Sequence, residues 1–341
     1  VNRGRRTFLA ASALAGATLV WGCSHPTSTG SITLYHLPKR FSRRGDDLTA
    51  NITGRLEEGT HASYRLNGGP WREIQHGGPR NPEPFFTIEI PAHELETGRN
   101  ELELRCNVSE SCEPPLRVRF EYDPSPIDLP LTVNWRNADL NVDDGAWETF
   151  EENGQWRVRP RPGFEDYDRV LIATGAFAGG RRVRTDMQFL EHSVPGRPYG
   201  FGVLPMWGGR PDDRSDGPRR GWSFSLCWYY STYHGIGSEF SYKVGDGGPE
   251  WASTYQDFVL EPGRRVFLDI EVWPESTKEG RGFRYVQRFR LRRDESAPWG
   301  KWLTLTDTVS GTLPRGEYAV ALVAHRCQVN FGPILVEALD I

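Results

Sequence analysis

Apolar and polar positions alternate along most of this chain with a period of two. That is the spacing of a strand whose successive side chains point to opposite faces. "FFTIEI" (85–90), "GRNELELRC" (98–106), "LRVRFEYD" (116–123), "RRVRTDMQFL" (181–190) and "RVFLDIEVW" (265–273) all read this way. Gly, Pro, Asn and Asp clusters separate the runs. Helical stripes of period 3.6 are absent beyond the first twenty or so residues, so the pattern predicts an all-β protein.

The runs fall into two groups. Residues 31–123 predict a small β-sandwich, with a hairpin around Asn67-Gly68-Gly69-Pro70. "DPSPIDLP" carries prolines that block both helix and ladder, which makes 124–130 a linker. Residues 131–341 predict about nine strands, among them "GQWRVRP", "YGFGVLPMW", "GWSFSLCWYY", "SEFSYKVG", "FRYVQRFRLR" and "EYAVALVAHRCQVNFG". That number of short strands with polar turns fits a two-sheet jelly roll.

Composition agrees: 37 Gly and 25 Pro among 341 residues supply many turns. The net charge of −4 and the interleaving of arginine with acids argue against nucleic acid as a partner. The start is different in kind. Arg5-Arg6 precedes an apolar stretch, Phe8 to Trp21, that is short for a span of about 20 residues. The arginine pair with Phe8-Leu9 resembles a twin-arginine export signal, and "LVWGC" resembles a lipoprotein processing site ending at Cys23. The resemblance implies a signal over 1–22, a lipidated tether over 23–30 and a membrane partner through the Cys23 lipid. Loss of Arg3, Arg5 and Arg6 takes the mature charge to −7. By resemblance to known lipoprotein sorting, Ser24 after the cysteine favours the outer membrane where the host has one, and the expected location is the cell surface or periplasmic face.

Four cysteines remain after Cys23. Cys106 and Cys112 flank a polar turn, so a disulfide between them is expected in an oxidising compartment. Cys227 and Cys327 lie in strand-like runs, with their pairing open. No C-x-x-C spacing points to a metal site.

Residues 31–123 resemble, in pattern alone, the immunoglobulin-like or fibronectin-like modules of secreted bacterial proteins. "WETFEENGQWRVRPRPGFEDYDRVLIAT", "RRVRTDMQF", "GFGVLPMWGG", "PRRGWSFSLCWYY" and "VALVAHRCQVNFGPILVEAL" resemble secreted domains similar to concanavalin A-like lectin/glucanase sandwiches. This implies a jelly roll over 131–341. Activity on such a superfold is set by the site and not by the fold.

Alternation sorts candidate site residues. Arg184, Asp186 and Gln188, with Arg182, form one face of their strand: either a sugar groove or a solvated surface. Trp207 ends a strand before the long polar loop 207–222, whose Asp212, Asp213 and Asp216 lack a regular calcium-ligand spacing. Calcium is therefore unsupported, and no cofactor is identified. In "GWSFSLCWYYSTYHG" (221–235) the even row, Trp222, Phe224, Leu226, Trp228 and Tyr230, reads as core. The odd row ends in Tyr229 and Tyr233, with His234 at the turn, and reads as the ligand face. His325 shares an apolar face with Val323 and Cys327, which makes it either a core or a pocket histidine.

Catalytic signatures are missing. Asp269-Ile-Glu271 offers two carboxylates about 7 Å apart on one strand face. Its order and spacing depart from the Glu-x-Asp-x-x-Glu of family-16-like glucanases. The Gln-x-His motif of alginate-lyase-like jelly rolls is not found either. The first reading is a lipid-anchored envelope protein that binds a polysaccharide or oligosaccharide through Arg184, Asp186, Gln188, Trp207, Tyr229, Tyr233 and His234. The second is a glycoside hydrolase or polysaccharide lyase using the Arg184–Gln188 face, His234 and His325. The third is a structural envelope protein without a sugar ligand.

Overall fold

The computed structural model describes residues 27–29, 31–45, 48–75, 84–107, 115–136, 139–163, 168–209, 225–243, 249–276, 283–306 and 317–339. The expectations for Arg5, Arg6, Cys23, Cys112 and the aspartates of loop 207–222 lie outside the described residues. So do Trp222 and Phe224. Among the described residues every regular element is a strand apart from two short 3-10 turns, as the alternation predicts. No helix among them is long and apolar enough to cross a membrane.

The first unit packs two sheets around one core. Thr27–Thr29, Ile32–His36, Ala50–Leu56 and Phe85–Ile90 form one sheet. Arg40–Ser42, Leu116–Asp123, Gly98–Cys106, Ala62–Leu66 and Arg72–Glu73 form the other. Phe86, Ile88 and Ile90 point inward against Leu102, Leu104 and Phe120, each buried. The predicted hairpin is present: Ala62–Leu66 pairs with Arg72–Glu73. Asn67 (φ 48°) and Gly68 (φ 72°) both take the left-handed conformation that favours Asn-Gly in such turns. One difference concerns the tether over 23–30: Thr27–Thr29 is a strand, paired with Ile32–His36.

The second unit packs a nine-stranded sheet on a seven-stranded one. The larger runs Trp147–Glu152, Gln155–Pro160, Cys327–Phe331, Arg181–His192, Arg265–Ser276, Phe283–Arg292, Leu303–Thr306. Ile334–Ala338 also pairs with Arg181–His192 and carries Leu131–Val133 on its other side. The smaller sheet runs Asn141–Asp144, Asp168–Ile172, Ala319–His325, Gly200–Trp207, Ser225–Tyr230, Gly235–Lys243, Pro249–Asp257. Val183, Met187, Val266, Leu268 and Ile270 from the larger sheet meet Phe201, Val203, Tyr229, Ile236 and Leu322 from the smaller. Each such aliphatic side chain contributes about 1.5–3 kcal/mol when fully buried.

The run "EYAVALVAHRCQVNFG" is not one strand. It breaks at Arg326, whose φ of 53° turns the chain out of one sheet and into the other. Val323 and His325 therefore do not share a face with Cys327, Val329 and Phe331. Val323 packs on the outer side of the smaller sheet, while the other three fill the space between the sheets.

The two units are locked together. Arg43 grips Glu317 through two hydrogen bonds of 2.6 and 2.7 Å. The Trp147 backbone N–H donates to His36 Nε2 at 3.0 Å, and Asn51 Nδ2 donates to buried Asp143. Leu48, from the first unit, packs with Val170 and Ile172 against the outer side of the smaller sheet.

Candidate ligand shelf

The site is built on the outer face of the seven-stranded sheet, where two rows of in-register residues cross the strands. One row is Val323, Gly202, Trp228, Gly237, Tyr255. The next is His325, Gly200, Tyr230, Gly235, Asp257. Glycines alternate with rings, and the reason is steric. A Cβ on Gly202 would lie 2.4 Å from Trp228 Cβ, and one on Gly200 2.6 Å from Trp228 Cζ3. A Cβ on Gly237 would lie 2.5 Å from the Tyr255 ring. The glycines leave the face bare so that the rings can lie down on it.

The rings then stack on one another. Trp228 and Tyr230 are nearly parallel, at 17° with centroids 4.6 Å apart. Tyr233 rests on Tyr255 at 4.3 Å and approaches Tyr230 at 5.7 Å. His325 lies 6.5 Å from Tyr230 and is buried. Tyr233 is 51% exposed, and with Val259 it is one of two exposed large hydrophobics among the described residues. Both belong to the same end of the sheet, where the Phe258 N–H donates to the His234 carbonyl at 3.2 Å. His234 itself is exposed and left-handed (φ 45°, ψ 40°), closing the 3-10 turn Ser231–Tyr233.

Beneath the rings sits one acid. Glu239 is buried beside Tyr255, whose hydroxyl donates to its Oε1. The same hydroxyl accepts from Trp228 Nε1 at 3.1 Å. Burial pushes the Glu239 carboxyl up to about 7, against the opposing effect of the Trp228 hydrogen bond.

Of the predicted site residues, Trp207, Tyr233, His234 and His325 belong to this sheet's outer side or its turn. Tyr229 does not. It is buried between the sheets, 5% exposed, with Phe201 at 5.6 Å. The faces of its strand are the reverse of the sequence reading. Cys227 and Tyr229 face the inter-sheet core, while Leu226, Trp228 and Tyr230 face outward.

Arg184, Asp186 and Gln188 are on the other sheet and do not converge with Tyr233 and His234. They are also spoken for. Arg184 pairs with Glu337, buried Asp186 accepts from Arg157 at 2.7 Å, and Gln188 donates to the Gly263 carbonyl at 2.8 Å. The Asp269–Glu271 pair is likewise held by arginines. Asp269 takes Arg182 at 2.6 Å and Arg290 at 2.7 Å, and Glu271 takes Arg288 at 2.5 Å. Burial acts to raise the Asp269 pKa, yet hydrogen bonds from Arg182 and Arg290 hold it below the ordinary value. The charges on this face largely neutralise one another.

Trp228, Tyr230, Glu239 and Tyr255 were not singled out as ligand residues from sequence. The available signal was the paired glycines, Gly200-x-Gly202 and Gly235-x-Gly237, which empty one face of two strands. Cys227 is a free thiol in the core, and Cys327 Sγ donates to the Gly200 carbonyl at 3.4 Å, so the two do not pair. No group of three or more His, Cys, Asp or Glu side chains among the described residues is arranged to hold a metal ion.

No family model and no curated protein matches the chain. Solved structures similar to it include the carbohydrate-binding module CBM66 from Bacillus subtilis, at 9% identity and TM-score 0.35, covering 58% of this chain and 95% of that one. The Ca2+-bound exoplasmic/lumenal domain of VIP36 matches at 12% identity and TM-score 0.37, over 57% of this chain and 83% of that one. The mixed-linkage glucan GH16 protein of Bacteroides ovatus matches at 9% identity and TM-score 0.35, over 56% and 84%. At these values the likeness carries no residue role or activity to this chain, and the site stands on its own geometry.

Proposed function

We propose that this protein binds glycan on the outer face of the seven-stranded sheet, with a sugar ring stacked on Tyr233. The observation that supports it is the half-exposed Tyr233 ring, backed by Tyr255 at 4.3 Å and Tyr230 at 5.7 Å. A sugar ring has an apolar C–H face and a polar rim, and tyrosine offers a ring and a hydroxyl to match. His234 and Asp257, both exposed at this end, supply hydrogen-bonding groups for sugar hydroxyls. Wild-type protein and Tyr233→Ala on a polysaccharide array test the reading. The variant should lose at least about tenfold in affinity, as an anchor worth over 1 kcal/mol would. Unchanged binding by the variant would sink it.

The enzyme reading has one observation in its favour, the raised pKa of Glu239. A glycosidase needs a second carboxylate within about 5–9.5 Å. Among the described side chains of the Pro249–Asp257 strand the other carboxylate is Asp257, four residues beyond Ser253, the partner of Glu239, which is roughly 14 Å of strand rise. Binding without turnover is therefore favoured, and mass spectrometry of the array supernatants should find no cleaved product.

From the sequence alone we further propose export through the Arg5-Arg6 signal and lipid attachment at Cys23. Cys23→Ser should move the protein from the detergent phase to the aqueous phase in a partitioning assay.

A further inference from the structure

A cleft of about 640 Å³ opens at the junction of the two units. Small-ligand sites run to roughly 300–1,000 Å³ and gather at such junctions. Arg40 and Ser42 reach the cleft from the first unit, Asp128 from the linker and Thr132 from the Leu131–Val133 strand. Asp139 and Thr174 reach it from the second unit. Gly175 lets these pieces close up. A Cβ there would lie 2.7 Å from Ile127 Cδ1 and 2.8 Å from Ser42 Cβ, so the bare glycine lets the linker and the first unit settle on the second.

The walls are chemically mixed. Ile127 and Val133 pack against the second unit's core and give the cleft an apolar side. Ser42, Ser125 and Thr132 add hydroxyls. Asp123, Asp128 and Asp139 line it against one cation, Arg40, an excess of two negative charges. Arg40 is taken by Asp123. Asp139 accepts a backbone N–H from Lys39 at 3.2 Å, which leaves it without a cation among the described residues. Asp128 has neither a hydrogen bond nor an ion pair among them. The carboxylates described are not grouped to hold a metal ion.

We propose that this cleft is a second binding site, separate from the ring shelf, for a small molecule carrying a protonated primary amine, with Asp128 and Asp139 as its anchors. An ammonium has three N–H donors and no acceptor, which suits carboxylates that lack a cation. Its C–H body suits Ile127 and Val133. An anionic ligand meets the excess negative charge and is turned away. Amino sugars and polyamines both carry the required group, and the hydroxyls of Ser42, Ser125 and Thr132 add partners for the first.

The test is calorimetric titration with a glucosamine disaccharide, its N-acetylated form and spermidine. Tyr233→Ala serves as the background, so that no sugar is held by the shelf. At least one amine should bind. The N-acetylated disaccharide should bind at least about tenfold more weakly than its parent or not at all, since acetylation removes the charge. Binding of the disaccharide without spermidine would identify an amino sugar, and binding of spermidine without the disaccharide a polyamine; either supports the site. Adding Asp128→Asn and Asp139→Asn, both at exposed positions, should weaken the amine by about tenfold or more. Adding Thr132→Trp, which fills the cleft and leaves its charge unaltered, should abolish binding. Denaturant melts establish that each variant folds, and the two asparagine changes decide the matter should the tryptophan not be accommodated. No amine bound, or equal affinity for the disaccharide and its N-acetylated form, would overturn the proposal. So would amine binding that survives loss of both carboxylates or, in a folded protein, Thr132→Trp, since the ligand would then sit elsewhere. Each of these failures leaves the glycan reading of the shelf untouched.

Discussion

Trp228 stands opposite Gly202 with its ring over Gly200: the first two are paired in register, and a Cβ on Gly202 would meet the Trp228 Cβ at 2.4 Å. The same Cβ would lie 2.2 Å from the Cys227 carbonyl oxygen, which is backbone and cannot turn aside. Gly202→Ala should therefore destabilise the protein by about 1–3 kcal/mol, the range for overpacking. It should also displace the indole and weaken glycan binding. Denaturant melts and array affinity read the two effects; a variant as stable as wild type would show that the ring does not depend on the bare strand.

Glu239 makes stability depend on pH with a defined sign. Its folded-state pKa of about 7 lies above the ordinary glutamate value of 4.5. The folded state therefore holds the proton more tightly, and this contribution is fully present below pH 4.5 and lost as pH rises through 7. Glu239→Gln should match wild type near pH 4.5 and exceed it at pH 8–9 by about 3 kcal/mol, from 1.36 kcal/mol per unit. Urea melts at the two pH values measure the difference, and a gap that does not open with pH would contradict the burial argument.

His36 works in the opposite sense. Burial, helped by the charge of Arg161, lowers its pKa to about 3. Its Nε2 must stay unprotonated to accept from the Trp147 N–H that joins the two units. The stabilisation is present above the ordinary value of 6.5 and lost as pH falls toward 3. The loss should reach about 5 kcal/mol at the acid end. His36→Gln keeps an acceptor without the titration, so its melting temperature should fall less than wild type's between pH 6.5 and 3.5.

The larger sheet's outer face should prove structural. Asp269→Ala leaves Arg182 and Arg290 beside an emptied buried site and should cost about 3–5 kcal/mol. Arg184→Ala breaks a pair whose side chains are 37% and 34% exposed, so stability should change by no more than about 1 kcal/mol. Array binding should be unaltered in Arg184→Ala; a loss there would return the ligand to the face first read from the sequence.

The contrast between these two faces explains how far the sequence could be read. In "RVFLDIEVW" apolar and charged residues alternate, so parity and direction are both legible. Val266, Leu268 and Ile270 point inward as expected, while Asp269 and Glu271 point outward. In Ser225–Tyr230 the first five residues are all buried and the sixth nearly so. Alternation still divides that strand into two rows, but neither row carries the charge that marks an outside. The larger rings, Trp228 and Tyr230, then look like core when they are the floor of the shelf.

What the sequence determined by itself was local: the strands, the Asn67-Gly68 hairpin and the charged face of the larger sheet. These follow from side-chain period and turn chemistry, which act over a few residues. What only the tertiary structure decided was which side of each strand meets the other sheet, and which distant residues share a row. Arg326 sends the end of one apparent strand into the opposite sheet, and Glu239 and Tyr233 both reach Tyr255 only because two strands and a turn come together. A period of two sorts side chains into two rows, and only packing between sheets says which row is inside.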